Sequence, residues 1–196
     1  MKILSTLILG LTLLLAACSP TPPAFTSTDI SAVDWGKDFA LTDHHGQLRH
    51  LADFKGKAVI VFFGYTQCPD VCPTTLSSMR EVLSRLGDQA SRVQVQVLFV
   101  TLDPERDTAQ LLSEYVTAFD PSFLGLRGDE AATRAVAKDF KVFYAKQAGR
   151  TPDSYTLDHT TGSYVFDPQG RIRLLVRHGE LPESVAADVK RLLAGD

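Results

Sequence analysis

Ala58-Val-Ile-Val-Phe-Phe-Gly-Tyr-Thr-Gln-Cys-Pro-Asp-Val-Cys-Pro73 is the stretch from which the rest of the chain is read. Its first six residues are all apolar, as a central strand covered on both faces requires. Beyond Pro73, Leu76, Met79, Val82, Leu83 and Leu86 recur at helical spacing and stop at Gly87. Two cysteines, Cys68 and Cys72, therefore sit where a buried strand passes into a helix.

Working outward, Phe39 to Leu51 reads as a small hairpin about an Asp43-His-His-Gly46 turn. Val93 to Thr101 begins in alternation through Gln94 and Gln96 and ends wholly apolar, a second central strand. Leu111, Leu112, Tyr115, Val116 and Phe119 mark a second amphipathic helix, and a third spans Glu130 to Phe140. Ser163 to Phe166 and Arg171 to Val176 are strands joined by the turn Asp167-Pro-Gln-Gly170. Pro182 opens a closing helix through Val185, Val189, Leu192 and Leu193. Strands alternating with helices imply a central sheet with helices on both faces. The order predicts an α/β thioredoxin-like sandwich with an N-terminal β-hairpin.

The N-terminal segment is of another kind. Lys2 followed by the apolar stretch Ile3 to Ala17 is a signal-peptide pattern, too short to span a bilayer as a helix. Leu15-Ala-Ala-Cys18 resembles the lipobox of bacterial lipoproteins, which implies cleavage before Cys18 and lipidation of its sulfur. Residues 1–17 are thus expected to be removed and residues 18–30, rich in proline, to tether a domain at 31–196. The expected setting is the extracytoplasmic side of a bacterial envelope, with the membrane reached through the lipid. A net charge of −3 leaves no broad basic face, so nucleic acid is not an expected partner.

With Cys18 assigned to lipid, Cys68 and Cys72 form a pair outside the cytoplasm: a disulfide, a metal site, or each in turn. A helix N-terminus beside them favours thiolate over thiol. Four residues apart on a helix they would share a face, about 6 Å apart, close enough for a disulfide. A disulfide closing so short a loop makes a weak staple, because the unfolded-state entropy it removes grows with loop length. Two thiolates favour copper or zinc over magnesium or calcium and leave either ion short of a ligand.

Of the five histidines, His44, His45, His50 and His178 read as solvated turn or surface residues. His159 differs. It precedes the Ser163 strand, and in a thioredoxin architecture that loop faces the cysteine loop across the end of the sheet. Thioredoxins carry a cis-proline there; this chain has none before Ser163. Neutral imidazole suits copper or zinc, and Asp158 is a candidate to orient the ring. Asp103, Arg106 and Asp107 follow the second central strand at the same end. Asp107 reads as an N-cap for the next helix, and Asp103 as a docking carboxylate or a support for the site.

The Cys-Pro-Asp-Val-Cys-Pro block, Thr101-Leu-Asp-Pro-Glu-Arg-Asp-Thr108, Asp158-His-Thr and Tyr164-Val-Phe-Asp-Pro-Gln-Gly170 resemble the Sco (SenC) family in sequence and order. The resemblance runs from about Phe39 to the C-terminus. It implies a thioredoxin-like fold and one copper ion bound by Cys68, Cys72 and His159. It also implies a role in assembling the dicopper CuA centre of cytochrome c oxidase subunit II, or service to another copper protein. The competing expectation is a thiol–disulfide oxidoreductase using a Cys68–Cys72 disulfide, or a redox or copper sensor. The three-residue spacer between the cysteines and the missing cis-proline weigh against the enzyme.

Overall fold

The computed structural model describes residues 24–87, 94–149, 151 and 154–196; the expected signal peptide and Cys18 lie outside them. The chain runs through β1 (Thr28–Asp29), β2 (Leu41–Asp43), β3 (Leu48–Arg49), β4 (Ala58–Gly64), α1 (Val71–Leu86), β5 (Val95–Thr101) and α2 (Ala109–Thr117). It continues with β6 (Leu124–Arg127), α3 (Glu130–Asp139), β7 (Tyr144–Ala148), β8 (Tyr155–His159), β9 (Ser163–Phe166), β10 (Ile172–Val176) and α4 (Pro182–Ala194). Eight strands make one sheet in the order β1-β10-β9-β4-β5-β6-β2-β3, while β7 and β8 form a separate ribbon. β4, β5 and β6 are parallel; β9 runs against β4, with Phe62 opposite Ser163.

Alternation along β4 divides the core in two. Ala58, Ile60 and Phe62 pack with Leu76 and Met79 of α1, Leu112 of α2 and Val189 of α4. Val59, Val61 and Phe63 pack on the other face with Val136 of α3, Phe140, Tyr164 and Phe166. Helices therefore cover both faces, as the element order predicts. Each such fully buried side chain stabilises by about 1.5–3 kcal/mol. The Tyr164 hydroxyl, buried among these rings, donates to the Phe140 carbonyl at 2.8 Å, which removes the cost of an unpaired polar group.

Some details differ from the sequence reading. Residues 25–30, read as part of the tether, pack against the domain. β1 pairs with β10, and the Thr26 and Ser27 N–H groups donate to the buried carboxylate of Asp188 at 3.0 and 2.8 Å. A two-residue edge strand carries no periodicity to read. α2 is capped by Thr108, whose side chain accepts the Leu111 N–H, and not by Asp107. His44 is half-buried, its Nδ1 accepting the Gly125 N–H at 3.0 Å, so it ties the first hairpin to β6.

Two buried aspartates hold the hairpin turns. Asp43 accepts the N–H groups of His45 and Gln47 and the Arg49 guanidinium, and Asp167 those of Gln169 and Arg171 with the Arg171 and Arg173 guanidinia. Burial works against both charges, but these donors outweigh it and hold both carboxyls below their ordinary value. Depressed folded values mean stability that is whole above about pH 4–5 and lost as pH falls through the folded pKa. The urea midpoint should therefore drop on acidification, and less steeply in Asp167→Asn. An identical acid slope in that variant would remove Asp167 from the account.

Candidate metal centre

β4 ends at Gly64, and the chain turns through Tyr65 to Cys68, closed by the Cys68 N–H to the Tyr65 carbonyl at 3.2 Å. α1 begins at Val71, so Cys72 is its second residue and Pro73 its third, a position where no N–H is needed. Only Cys72 is helical; Cys68 lies in the loop before it, and the shared helix face expected of the pair is not how they meet. Instead the Cys72 N–H, one of the free donors of the first turn, points at the Cys68 sulfur at 3.4 Å. Both are free thiols, Cys68 half-buried and Cys72 fully buried.

Gly64 makes room for this arrangement, a role invisible in one dimension. A Cβ on Gly64 would stand 2.7 Å from the Cys72 Sγ and 2.9 Å from the Phe99 ring. The Cys72 sulfur thus rests directly on the backbone at the strand end.

His159 is the last residue of β8, whose ladder with β7 sets Tyr144 opposite it. Its Nδ1 lies 2.9 Å from the Thr160 carbonyl, an acceptor only, so Nδ1 carries the proton and Nε2 presents its lone pair to the cysteine pair. Nε2 stands 3.6 Å from the Cys72 Sγ. The rings of Tyr65 and Phe62 meet the imidazole edge-on at 6.0 and 6.3 Å. Burial lowers the His159 pKa and keeps the ring neutral at neutral pH. The same desolvation pushes the Cys72 thiol well up, against the Tyr65 N–H that favours its thiolate. Burial at Cys72 thus opposes the thiolate that the helix N-terminus is expected to favour.

Asp158 does not orient the imidazole. Successive strand residues face opposite ways, and its carboxylate accepts from Gln147 at 2.8 Å while Thr160 holds the ring. Asp107 is fully buried and bolts the cysteine loop to β5. It accepts the Thr66 N–H and hydroxyl at 3.1 and 2.6 Å and the Thr101 hydroxyl at 2.6 Å. Burial raises its pKa against those three bonds. Asp103, also buried, touches neither a thiol nor His159; it accepts the Tyr155 hydroxyl at 2.7 Å and pairs with Arg106.

Among the described residues, Cys68, Cys72 and His159 form the one cluster of cysteine, histidine or carboxylate donors close enough to hold a metal, their ligand atoms all within 4.8 Å of one another. Three donors bound at about 2.0–2.3 Å to one ion would stand roughly 3.5–4 Å apart, so closure needs shifts of about an ångström. Two sulfurs and one imidazole make a soft donor set, suited to copper or zinc. A cleft of about 460 Å³ lined by Tyr65, Cys68, Pro69, Leu157 and His159 opens the site to solvent.

A family model described as SCO1/SenC matches residues 27–194. The SCO2-like protein of Rickettsia felis is 38% identical over 165 residues, covering 83% of this chain and 80% of that protein. The copper-bound structure of Bradyrhizobium japonicum ScoI is similar at a TM-score of 0.71 and 41% identity, over 79% of this chain and 97% of that one. The apo Sco1 structure from Thermus thermophilus gives a TM-score of 0.76 at 40% identity, over 88% and 99%.

Proposed function

This chain belongs to the SCO1/SenC family, and from that premise we propose that it carries one copper ion on Cys68, Cys72 and His159 and serves assembly of the CuA centre of cytochrome c oxidase. The observation that carries the reading is the convergence of the three donors from a loop, a helix and a separate ribbon to within 4.8 Å. The donor set fits the cargo: two sulfurs and a neutral imidazole suit copper, and a structural zinc site would take a fourth protein ligand. The half-buried Cys68 and the open cleft leave room for a recipient's ligands to approach. With the cysteines joined as a disulfide, two of three donors are lost, so the redox state of the pair governs loading.

The lipobox reading places the protein in a bacterial envelope, anchored through Cys18 with the domain outside the cytoplasm. No described helix is long and apolar enough to cross a membrane.

Metal analysis of the full chain purified in reducing buffer should find about one copper per chain, and almost none in His159→Ala. Unchanged copper in His159→Ala would sink the ligand assignment. Biological activity intact in His159→Ala but lost with either cysteine would transfer the function to thiol–disulfide exchange. The intact mass of the same preparation reports whether Cys18 is the lipidated N-terminus.

A further inference from the structure

The ribbon that presents His159 shares no ladder with the eight-stranded sheet. β8 reaches the rest of the domain through side chains. The Leu157 side chain is buried in the core and its N–H faces the Tyr65 hydroxyl. The Tyr155 end is held by one guanidinium. Arg106 Nη1 donates to the Tyr155 carbonyl at 2.9 Å and to Gln67 Oε1 at 3.1 Å, while Nε donates to Asp103. The Arg106 guanidinium also lies 3.5 Å from the centre of the Tyr155 ring, and the Tyr155 hydroxyl donates to the same Asp103. A single planar fork therefore joins the residue next to Cys68 to the first residue of the strand that ends at His159.

The geometry points to Arg106 as the positioning residue that sets the gap between His159 and the two thiols. The ladder fixes β8 against β7, not against the cysteine loop. Leu157, through its buried side chain and its N–H to Tyr65, holds the middle of the strand, and Arg106 holds its Tyr155 end to Gln67 beside Cys68. Glu105 assists by pairing with Lys146 of β7 at 2.7 Å, but both groups are solvent-exposed and water weakens such a pair. Arg106 acts from partial burial, against a buried carboxylate and an aromatic face, where the grip is stronger. A lysine could keep the charge opposite Asp103 but has no fork to span Gln67 and Tyr155 together. The inference rests on the carrier reading for its consequence, not for its structural content.

The test compares the full chain with Arg106→Lys and Arg106→Ala. In the reduced, copper-free protein, amide exchange at Leu157 and His159 should quicken about tenfold in Arg106→Lys while the amides of β4 and β5 stay protected, as loss of one charge-assisted bond requires. Copper loading should stay near one per chain but be held about 10–100-fold more weakly against a competing chelator, the usual cost of removing a support behind a metal ligand. The nitrogen signature of the Cu(II) spectrum should weaken in parallel. Exchange and affinity both within twofold of the parent would overturn the inference. Equal loosening of β4 and β5 would overturn it too, since Arg106 would then serve the fold alone. If Arg106→Ala does not fold, Arg106→Lys decides. A parent that holds no copper sinks the carrier reading, while the copper-free exchange rates still decide the role of Arg106.

Discussion

Replacing Gly64 by alanine should cut copper affinity by about 100-fold or more and lower the melting temperature, although the residue ligates nothing. The added methyl would lie 2.7 Å from the Cys72 sulfur and 2.9 Å from the Phe99 ring. Neither yields cheaply, since both side chains are fully buried. The ring packs against Phe62 and Tyr115, with centroids 6.0 and 5.5 Å away. Overpacking of a tight core costs about 1–3 kcal/mol, which at about 2–4 °C per kcal/mol for a chain of this size predicts a fall of roughly 2–12 °C. The larger effect falls on the site. The Cys72 sulfur already approaches His159 Nε2 at 3.6 Å, and any displacement from the strand end changes that approach. Chelator competition and thermal melts measure the two consequences. Wild-type affinity in Gly64→Ala would mean that the sulfur has freedom the packing denies it.

Asp107→Ala should be the more damaging change to stability. The carboxylate satisfies three donors, the Thr66 N–H and the hydroxyls of Thr66 and Thr101. Removing it leaves the buried Thr101 hydroxyl and the half-buried Thr66 donors without that acceptor, at up to about 1–3 kcal/mol each and less than additively. A net loss of about 3–5 kcal/mol, or roughly 10 °C, is expected, together with loosening of the turn that carries Cys68. Asp107→Asn keeps one acceptor and should lose about half as much. A melting temperature within 2 °C or so of the parent in Asp107→Ala would show that the turn is held by something else. The sign of its titration adds a check. Because burial raises the folded pKa of Asp107, its charge opposes folding as pH rises above the ordinary carboxyl value. Asp43 and Asp167 act in the opposite sense over the same acid range.

The part of this molecule readable from sequence is the part with strong periodicity. β4, α1, β5 and α4 announce themselves because each presents a continuous apolar run or a helical stripe to the core. Cys68, Cys72 and His159 were readable as well, because their chemistry is rare and thioredoxin topology brings their two loops together. The remainder depends on pairing that leaves no local trace. β1 has two residues, β6 contains Gly125 and Arg127, and β7 is largely polar and exposed over Lys146, Gln147 and Ala148. Asp107 resembles a helix cap in sequence since it stands one residue before the true cap, Thr108. Asp158 lies in what reads as a loop; only once residues 155–159 form β8 does alternation turn its carboxylate towards Gln147 and leave the ring to Thr160. Gly64 stood in the quoted motif throughout, but close approach to a sulfur is a property of three dimensions.

The unequal burial of the two cysteines imposes a sequence of events on any exchange at this centre. Cys68 lines the cleft, whereas Cys72 is wholly enclosed beneath Gly64, Phe62 and the first turn of α1. If the pair holds copper as proposed, an incoming thiolate would meet the Cys68 sulfur along the cleft before the enclosed Cys72 sulfur. If the pair were instead joined as a disulfide, a partner thiolate would attack Cys68 from the same side, breaking the Cys68–Cys72 bond with Cys72 as the leaving thiolate.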